Sequence, residues 1–273
     1  MNTALERPTF EKFYSPDVVI DRRTLAQGEV FIVRDDLLEG GSKQRAAVPF
    51  LKILNKKGFK EFVYASPFAG FAQVALAASC RQLGVKCRLY CEQDPHAARP
   101  GTPHAFTQLA KSFGASIQIE ESLEDAEIKA SRYRSNHSSC FKVSLGFNHP
   151  EFKCLFDHEL VVQWNKIKNT LNSEPKSVWL TVGSATLGHI FRKVIPSHIQ
   201  LRCIDVGVLD ANDMRIQTLR AKKNVFIIRA PECFADFAAY RPPLPSNIHY
   251  DAKVWRFFSK HAEKGDLWWN IAR

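Results

Sequence analysis

In the stretch LLEGGSKQRA (37–46) a single lysine stands behind two glycines, where a short apolar run gives way to a helical pattern. Glycine lets the backbone approach a ligand closely, and the free amides at a helix start favour anions. A lysine taken out of water there is a nucleophilic amine and a proton carrier. Lys43 is therefore a candidate for chemistry rather than one more solvated cation. A second small-residue turn, GSATLG (183–188), follows the strand pattern SVWLTV and also opens a helix. Its amides and hydroxyls suit a phosphate. Between these lies ASPFAGFAQVALA (65–77), which reads as strand, small-residue loop and Ala-rich helix. Near the C-terminus, YDAKVW (250–255) sets a tyrosine beside a carboxylate ahead of a helix, where Asp251 reads equally well as a helix cap.

The elements that must carry these residues alternate short β-branched or aromatic runs with longer helical patterns, the signature of parallel strands joined by crossover helices. Strands are predicted at 29–34, 61–66, 86–91, 116–120, 141–145, 177–182, 201–206 and 225–229. GFAQVALAASCRQLG and HAFTQLAKSFGA read as helices closed by glycine. Two proline-rich stretches, 94–104 and 240–251, must be loops, the first a candidate flap and the second a rigid lead into the last helix. Trp268 and Trp269 in DLWWNIAR read as packing residues, with stacking on a nucleic-acid base as the alternative. His96, His104 and His189 carry no assignment.

Hydrophobic content of 45% with 24% charged residues in 273 residues is that of a globular chain, without the uninterrupted apolar run of a membrane span. The start, MNTALERPTF, lacks a signal-type apolar core, so a soluble cytoplasmic protein is expected. Seven cysteines without a CxxC pair suggest neither a disulfide framework nor zinc, and no metal site is expected. The net charge is +10, and residues 160–230 hold 11 basic against 4 acidic residues, an excess of +7. Such an excess favours a polyanionic partner.

Taken in order, these motifs resemble the fold-type II pyridoxal-phosphate enzymes, which include the tryptophan synthase β chain, cysteine synthase and aminocyclopropane-carboxylate deaminase. The resemblance implies an α/β fold of two open, twisted, mostly parallel sheets flanked by helices. A smaller unit at 55–145 would be inserted in a larger one made of 1–54 and 146–273, and the chain would form a homodimer. It implies that Lys43 forms the Schiff base with pyridoxal 5'-phosphate and that Gly183, Ser184, Ala185, Thr186 and Gly188 cradle the phosphate. Ser66, Pro67, Phe68, Ala69, Gly70 and Gln73 would receive the substrate carboxylate. Tyr250 and Asp251 would stand beside the ring, the carboxylate holding the pyridine nitrogen protonated and so favouring a carbanion at the substrate α-carbon.

Two departures stand out. The asparagine that many members carry after the glycine of the carboxylate loop is replaced here by Phe71 or a neighbour, with Gln73 a substitute. The phosphate turn is also one glycine poorer than usual. Compactness and basicity are similar to members that bacteriophages use in thymidine hypermodification, which implies decarboxylation of an amino acid attached to a DNA base in the host cytoplasm. The alternatives are a deaminase or β-eliminating lyase on a free amino acid, and a cofactor-free nucleic-acid-binding pseudoenzyme.

Overall fold

The computed structural model describes residues 15–171 and 173–273, so the stretch MNTALERPTF lies outside the described residues. The chain opens with an antiparallel hairpin, β1 (Ile20–Leu25) and β2 (Gly28–Arg34), joined at a glycine with φ +125°. A 3-10 turn at Gly41–Lys43 leads into α1 (Gln44–Lys56). The chain then alternates through β3 (Glu61–Ser66), α2 (Ala72–Leu83), β4 (Lys86–Glu92), α3 (Ala105–Ser112), β5 (Ser116–Glu120), α4 (Leu123–Asn136) and β6 (Cys140–Val143). The long α5 (Pro150–Leu171) precedes β7 (Ser177–Val182), α6 (Thr186–Val194), β8 (Gln200–Asp205), α7 (Met214–Arg220), β9 (Val225–Arg229), α8 (Ala252–His261) and β10 (Leu267–Asn270).

Two sheets result. The larger runs β1-β2-β10-β7-β8-β9 and the smaller β5-β4-β3-β6. Every pairing except β1 with β2 is parallel. All strands of the smaller sheet fall between Glu61 and Val143. The predicted strands at 61–66, 116–120, 177–182 and 225–229 coincide with β3, β5, β7 and β9. The run expected at 141–145 ends instead at Val143, because Gly146 and Phe147 take left-handed φ values of +67° and +59° and turn the chain.

The last strand gives the larger sheet its centre. β10 lies between β2 and β7, which places Trp268 and Trp269 at zero exposure on opposite faces, so stacking on a nucleic-acid base is excluded for both. Trp269 joins a continuous core with Val33, Phe50, Leu76, Trp164 and Leu180, drawn from both sheets and the helices between them. Trp268 packs on the other face with Trp179, Val254 and Phe258 beneath α8. Burying one such side chain contributes about 1.5–3 kcal/mol. Cys80, Cys87, Cys91, Cys140 and Cys203 are buried free thiols that act as small core residues.

The expected glycine closures hold. Gly84 ends α2 at φ +65°, and Gly114 follows α3 at φ +92°. Among the described residues no helix is long and apolar enough to cross a membrane, and no cluster of His, Cys, Asp or Glu is suited to a metal.

Candidate active site

Ligand sites in parallel α/β sheets form beyond the carboxyl ends of the strands, and here those ends from both sheets face one cleft. Lys43 lines it, with Pro67, Gly70 and Phe71 after β3, and Leu145 and Gly146 after β6. Opposite stand Thr181, Gly183, Ser184, Ala185 and Gly188 around the end of β7, with Tyr250, Asp251 and Ile271.

The turn bearing Lys43 is fixed from beneath by a buried polar cluster. Asp35, 1% exposed, accepts from Ser42 Oγ at 2.7 Å, Arg45 Nη2 at 2.6 Å and Trp269 Nε1 at 2.9 Å. Gly41 closes against the last strand: a Cβ there would meet Ile271 O at 2.4 Å, and its φ is +62°. Gly40 is equally constrained, with Ala75 Cα 2.7 Å from the place of a Cβ. The two glycines thus serve backbone packing, Gly40 against α2 and Gly41 against the end of the last strand.

Lys43 and Asp251 dominate the electrostatics. Loss of water pushes the Lys43 amine down to about 8, against the attraction of Asp251. Loss of water likewise pushes Asp251 up to about 7, opposed by the Ile271 amide, the Thr181 hydroxyl and Lys43. Asp251 Oδ1 accepts from Thr181 Oγ1 at 3.0 Å and from Ile271 N at 3.1 Å. It makes no side-chain cap bond to α8, so the helix-cap reading of this residue is overturned.

The Gly/Ser turn, the expected phosphate cradle, joins the end of β7 to the start of α6. Gly183 is pressed against Tyr250, whose Cε1 would lie 2.8 Å from an added Cβ. Ala185 adopts φ +61° just ahead of α6, so an alanine holds a left-handed position that glycine adopts more easily. Ser184 Oγ donates to Thr186 Oγ1 at 3.3 Å. Thr186 is 3% exposed and touches Ser184 rather than the cleft.

The carboxylate loop differs from expectation. Pro67 and Gly70 reach the cleft, whereas Ser66, Phe68, Ala69 and Gln73 do not. Their polar atoms are used locally. Ser66 Oγ donates to Pro67 O at 2.9 Å and Gln73 Nε2 to Phe68 O at 3.1 Å. Gln73 Oε1 accepts from Thr107 Oγ1 at 3.0 Å and Cys91 Sγ at 3.3 Å. Fully buried, with its oxygen bonded twice and its amide nitrogen once, Gln73 is a structural residue of α2 and no substitute for the missing asparagine.

Sequence reasoning missed Tyr64, Gly146 and Thr181. Tyr64 Oη accepts from Gly146 N at 3.3 Å on the cleft wall, and burial raises its hydroxyl pKa. A Cβ on Gly146 would lie 2.1 Å from Ser184 Oγ, so this glycine lets the turn after β6 close on the cradle. Tyr64 and Thr181 each lie two residues before a loop that the motifs did mark, and strand-end position is the signal that finds them.

Neither a protein-family model nor a curated protein matches the sequence. Solved structures do match the fold. An ACC deaminase homologue aligns over 94% of this chain and 90% of its own, with a TM-score of 0.71 at 13% identity. A hydrogen sulfide-producing enzyme from Fusobacterium nucleatum aligns over 93% and 84%, with a TM-score of 0.67 at 15% identity. Escherichia coli diaminopropionate ammonia lyase in its apo form aligns over 90% and 78%, with a TM-score of 0.63 at 12% identity. At these identities the likeness is one of architecture, and the chain has the fold of the fold-type II pyridoxal-phosphate enzymes.

Proposed function

We propose that the chain is a pyridoxal-phosphate-dependent lyase acting at the α-carbon of an amino acid. The observation that carries this reading is the meeting, in one cleft, of a desolvated amine on Lys43, a buried carboxyl on Asp251 and a Gly/Ser turn at a helix start. These residues fit the cofactor in kind. Lys43 would hold its carbonyl carbon, the amides of 183–188 its phosphate, and Asp251 its ring nitrogen. Bound there, the cofactor would supply an electron sink for negative charge at the substrate α-carbon.

The chain's own groups do the rest. Lys43, poised near neutrality, releases or accepts a proton at little cost. Thr181 and the Ile271 amide hold Oδ1 of Asp251, which leaves Oδ2 as the oxygen without a hydrogen bond among the described residues. Tyr64, Tyr250 and Phe71 wall the cleft and limit its water.

The purified protein should show a visible absorption band with pyridoxal phosphate, absent in Lys43→Ala. A band in both proteins would remove Lys43 from the assignment. No band in either would leave the binding-module reading in front.

For the substrate, the narrower reading is an amino acid attached to a modified thymidine in phage DNA, decarboxylated to leave an amine. Two features support it. Residues 160–230 carry an excess of +7, of which Lys166, Lys176 and Lys193 are paired with acids from elsewhere and Arg192 is buried, while Arg220, Lys222 and Lys223 stand exposed for phosphate contacts. Ser66 and Gln73 spend their polar groups on the loop backbone and on Thr107, so a substrate anchored elsewhere suits this cleft better than one held by its own carboxylate. A deaminase or other lyase on a free small amino acid is the second reading, favoured by the likeness to the ACC deaminase homologue. Free amino acids added to the loaded protein separate the two. A spectral change with release of ammonia supports the second reading, whereas silence with free amino acids and salt-dependent DNA binding supports the first.

A further inference from the structure

His104 and His249 meet beside the cleft, behind Pro67 and Tyr250 of its lining. His104 belongs to the loop ahead of α3 on the side of the smaller sheet, and His249 to the segment entering α8 beside the larger one. Their Nε2 atoms lie 3.2 Å apart. One must donate and the other accept, and a third bond decides which. The Phe106 amide donates to His104 Nδ1 at 3.2 Å, so that nitrogen is bare. Neutral His104 therefore carries its proton on Nε2 and gives it to Nε2 of His249. The proton of neutral His249 then sits on Nδ1, on a ring 1% exposed whose remaining polar neighbours are the backbone groups of Phe234 and Ala235.

We infer that His104 and His249 are a latch, a hydrogen bond between two neutral imidazoles that holds the cleft walls together and parts when His249 takes up a proton. A proton on His249 Nε2 sets N–H against N–H. A proton on His104 Nδ1 instead faces the Phe106 amide and removes the cap of α3, while Nε2 of His104 goes on donating to His249. Both rings sit in an aromatic seam. Phe68 lies 5.6 Å from His104 and 5.9 Å from His249, Phe106 4.8 Å from His104, and Phe237 5.1 Å from His249.

Other charges act in opposite directions. Asp94 favours a proton on His104, and Lys253 disfavours one on His249. The backbone of Phe234 and Ala235 faces His249 and favours its charged form, while His96 lies beyond Phe68. Burial outweighs the favourable contacts, lowering His104 and pushing His249 down to about 4.

The latch bears on the site through its neighbours. His249 precedes Tyr250 and Asp251 in the chain, Phe68 follows Pro67, and Phe106 packs edge-on against Phe71 at 5.2 Å. The two histidines are thus positioning residues for both walls, whether or not the cleft takes pyridoxal phosphate. With an ordinary histidine pKa in the open form, opening should become easier by on the order of tenfold or more between pH 7.5 and pH 5.

Long-range nitrogen–proton NMR of the imidazoles in the full-length, cofactor-free protein tests this. The expected result at pH 7.5 is a proton on Nε2 of His104 and on Nδ1 of His249, with amide exchange at 66–72 and 247–251 rising at pH 5 after correction for intrinsic rates. His249→Gln keeps an acceptor that does not titrate, so its exchange at pH 5 should stay near the value at pH 7.5. His104→Asn keeps a cap for α3 but cannot reach His249, so its seam should exchange faster at both pH values. A proton on Nδ1 of His104, either ring titrating near the ordinary histidine value, or seam exchange indifferent to pH in the unmodified protein would overturn the latch.

Discussion

Thr181 Oγ1 donates to Oδ1 of Asp251 at 3.0 Å, and with the Ile271 amide on the same atom it fixes which oxygen of that carboxylate remains for a ligand. Thr181→Val keeps the volume of the side chain and deletes the donor. The carboxyl should then titrate still higher, and pyridoxal phosphate should bind more weakly, by about 1–3 kcal/mol for a buried acceptor left short of a bond. Thr181→Ser should restore binding. A titration of the bound cofactor's absorption against pH checks this, and a threonine-to-valine variant that binds like the parent would show that the hydroxyl is incidental.

Stability without cofactor should depend on pH with a minimum between about 7 and 8. Asp251 is pushed up to about 7, so the folded protein holds a proton that the unfolded chain releases between pH 4 and 7, and stability falls as pH rises through that window. Lys43 is pushed down to about 8, so from there to about 10.5 the unfolded chain holds the extra proton and stability recovers as pH rises. Asp251→Asn should flatten the acid limb and Lys43→Met the alkaline one. Each should raise the minimum by about 2–3 kcal/mol. Thermal unfolding across pH 4–10 reads both limbs, and a monotonic profile would contradict the assignment.

Much of this arrangement was legible because parallel strands carry their own pattern. β3, β5, β7 and β9 are bounded in the sequence by polar or turn residues at both ends, and Gly84 and Gly114 mark where helices stop. That Lys43, Gly183 and Asp251 line one cleft was legible because glycine before lysine, glycine after a strand and tyrosine before aspartate are local features. What stayed hidden depends on distance in sequence. β1 reads IDRRTL, too charged to announce an edge strand, and β10 has only four residues, yet becomes central because β2 and β7 leave a place for it. Gln73 looked available for a ligand because nothing local shows that Thr107 and Cys91 already use its oxygen. Asp251 read equally well as a cap because its partner Thr181 lies 70 residues away.

Ala185 holds φ +61° in a turn that reads one glycine poorer than usual. Ala185→Gly should therefore raise stability by about 0.5–1 kcal/mol, the relief of left-handed strain exceeding the added freedom of the unfolded chain. Ala185→Val should lower it by more. Denaturant unfolding of the three proteins decides the matter, and an unchanged midpoint in the glycine variant would mean that the turn relaxes around the alanine.

Gly146→Ala tests the closure of the cradle from the opposite wall. The added Cβ would fall 2.1 Å from Ser184 Oγ and 2.6 Å from its Cβ, on a residue whose φ is +67°. Either Ser184 or the turn after β6 must move. Affinity for pyridoxal phosphate should drop at least about tenfold, a loss of ~1.4 kcal/mol, while the spectrum of whatever binds stays the same because Lys43 is untouched. Calorimetric titration with the cofactor measures the drop.

Asp35 supports the turn of Lys43 without touching the cleft. Its carboxylate accepts from Arg45, Ser42 and Trp269, joining the start of α1 to the central strand β10. Asp35→Ala would leave the 2%-exposed Arg45 side chain without its ion-pair partner and Trp269 Nε1 without its nearest acceptor. Removing one partner of a buried pair costs about 3–5 kcal/mol. Asp35→Asn keeps the shape and one acceptor oxygen while cancelling the charge, so it should cost less and leave the protein folded. In that folded variant the turn holding Ser42 and Lys43 loses its charged anchor, and the pH at which pyridoxal phosphate reacts with the lysine should shift, whereas the thermal midpoint reports only the stability loss. A normal reaction profile alongside a lowered midpoint would make Asp35 a stabilising residue alone; a shift in both would show that the buried pair beneath the lysine sets its environment as well as its place.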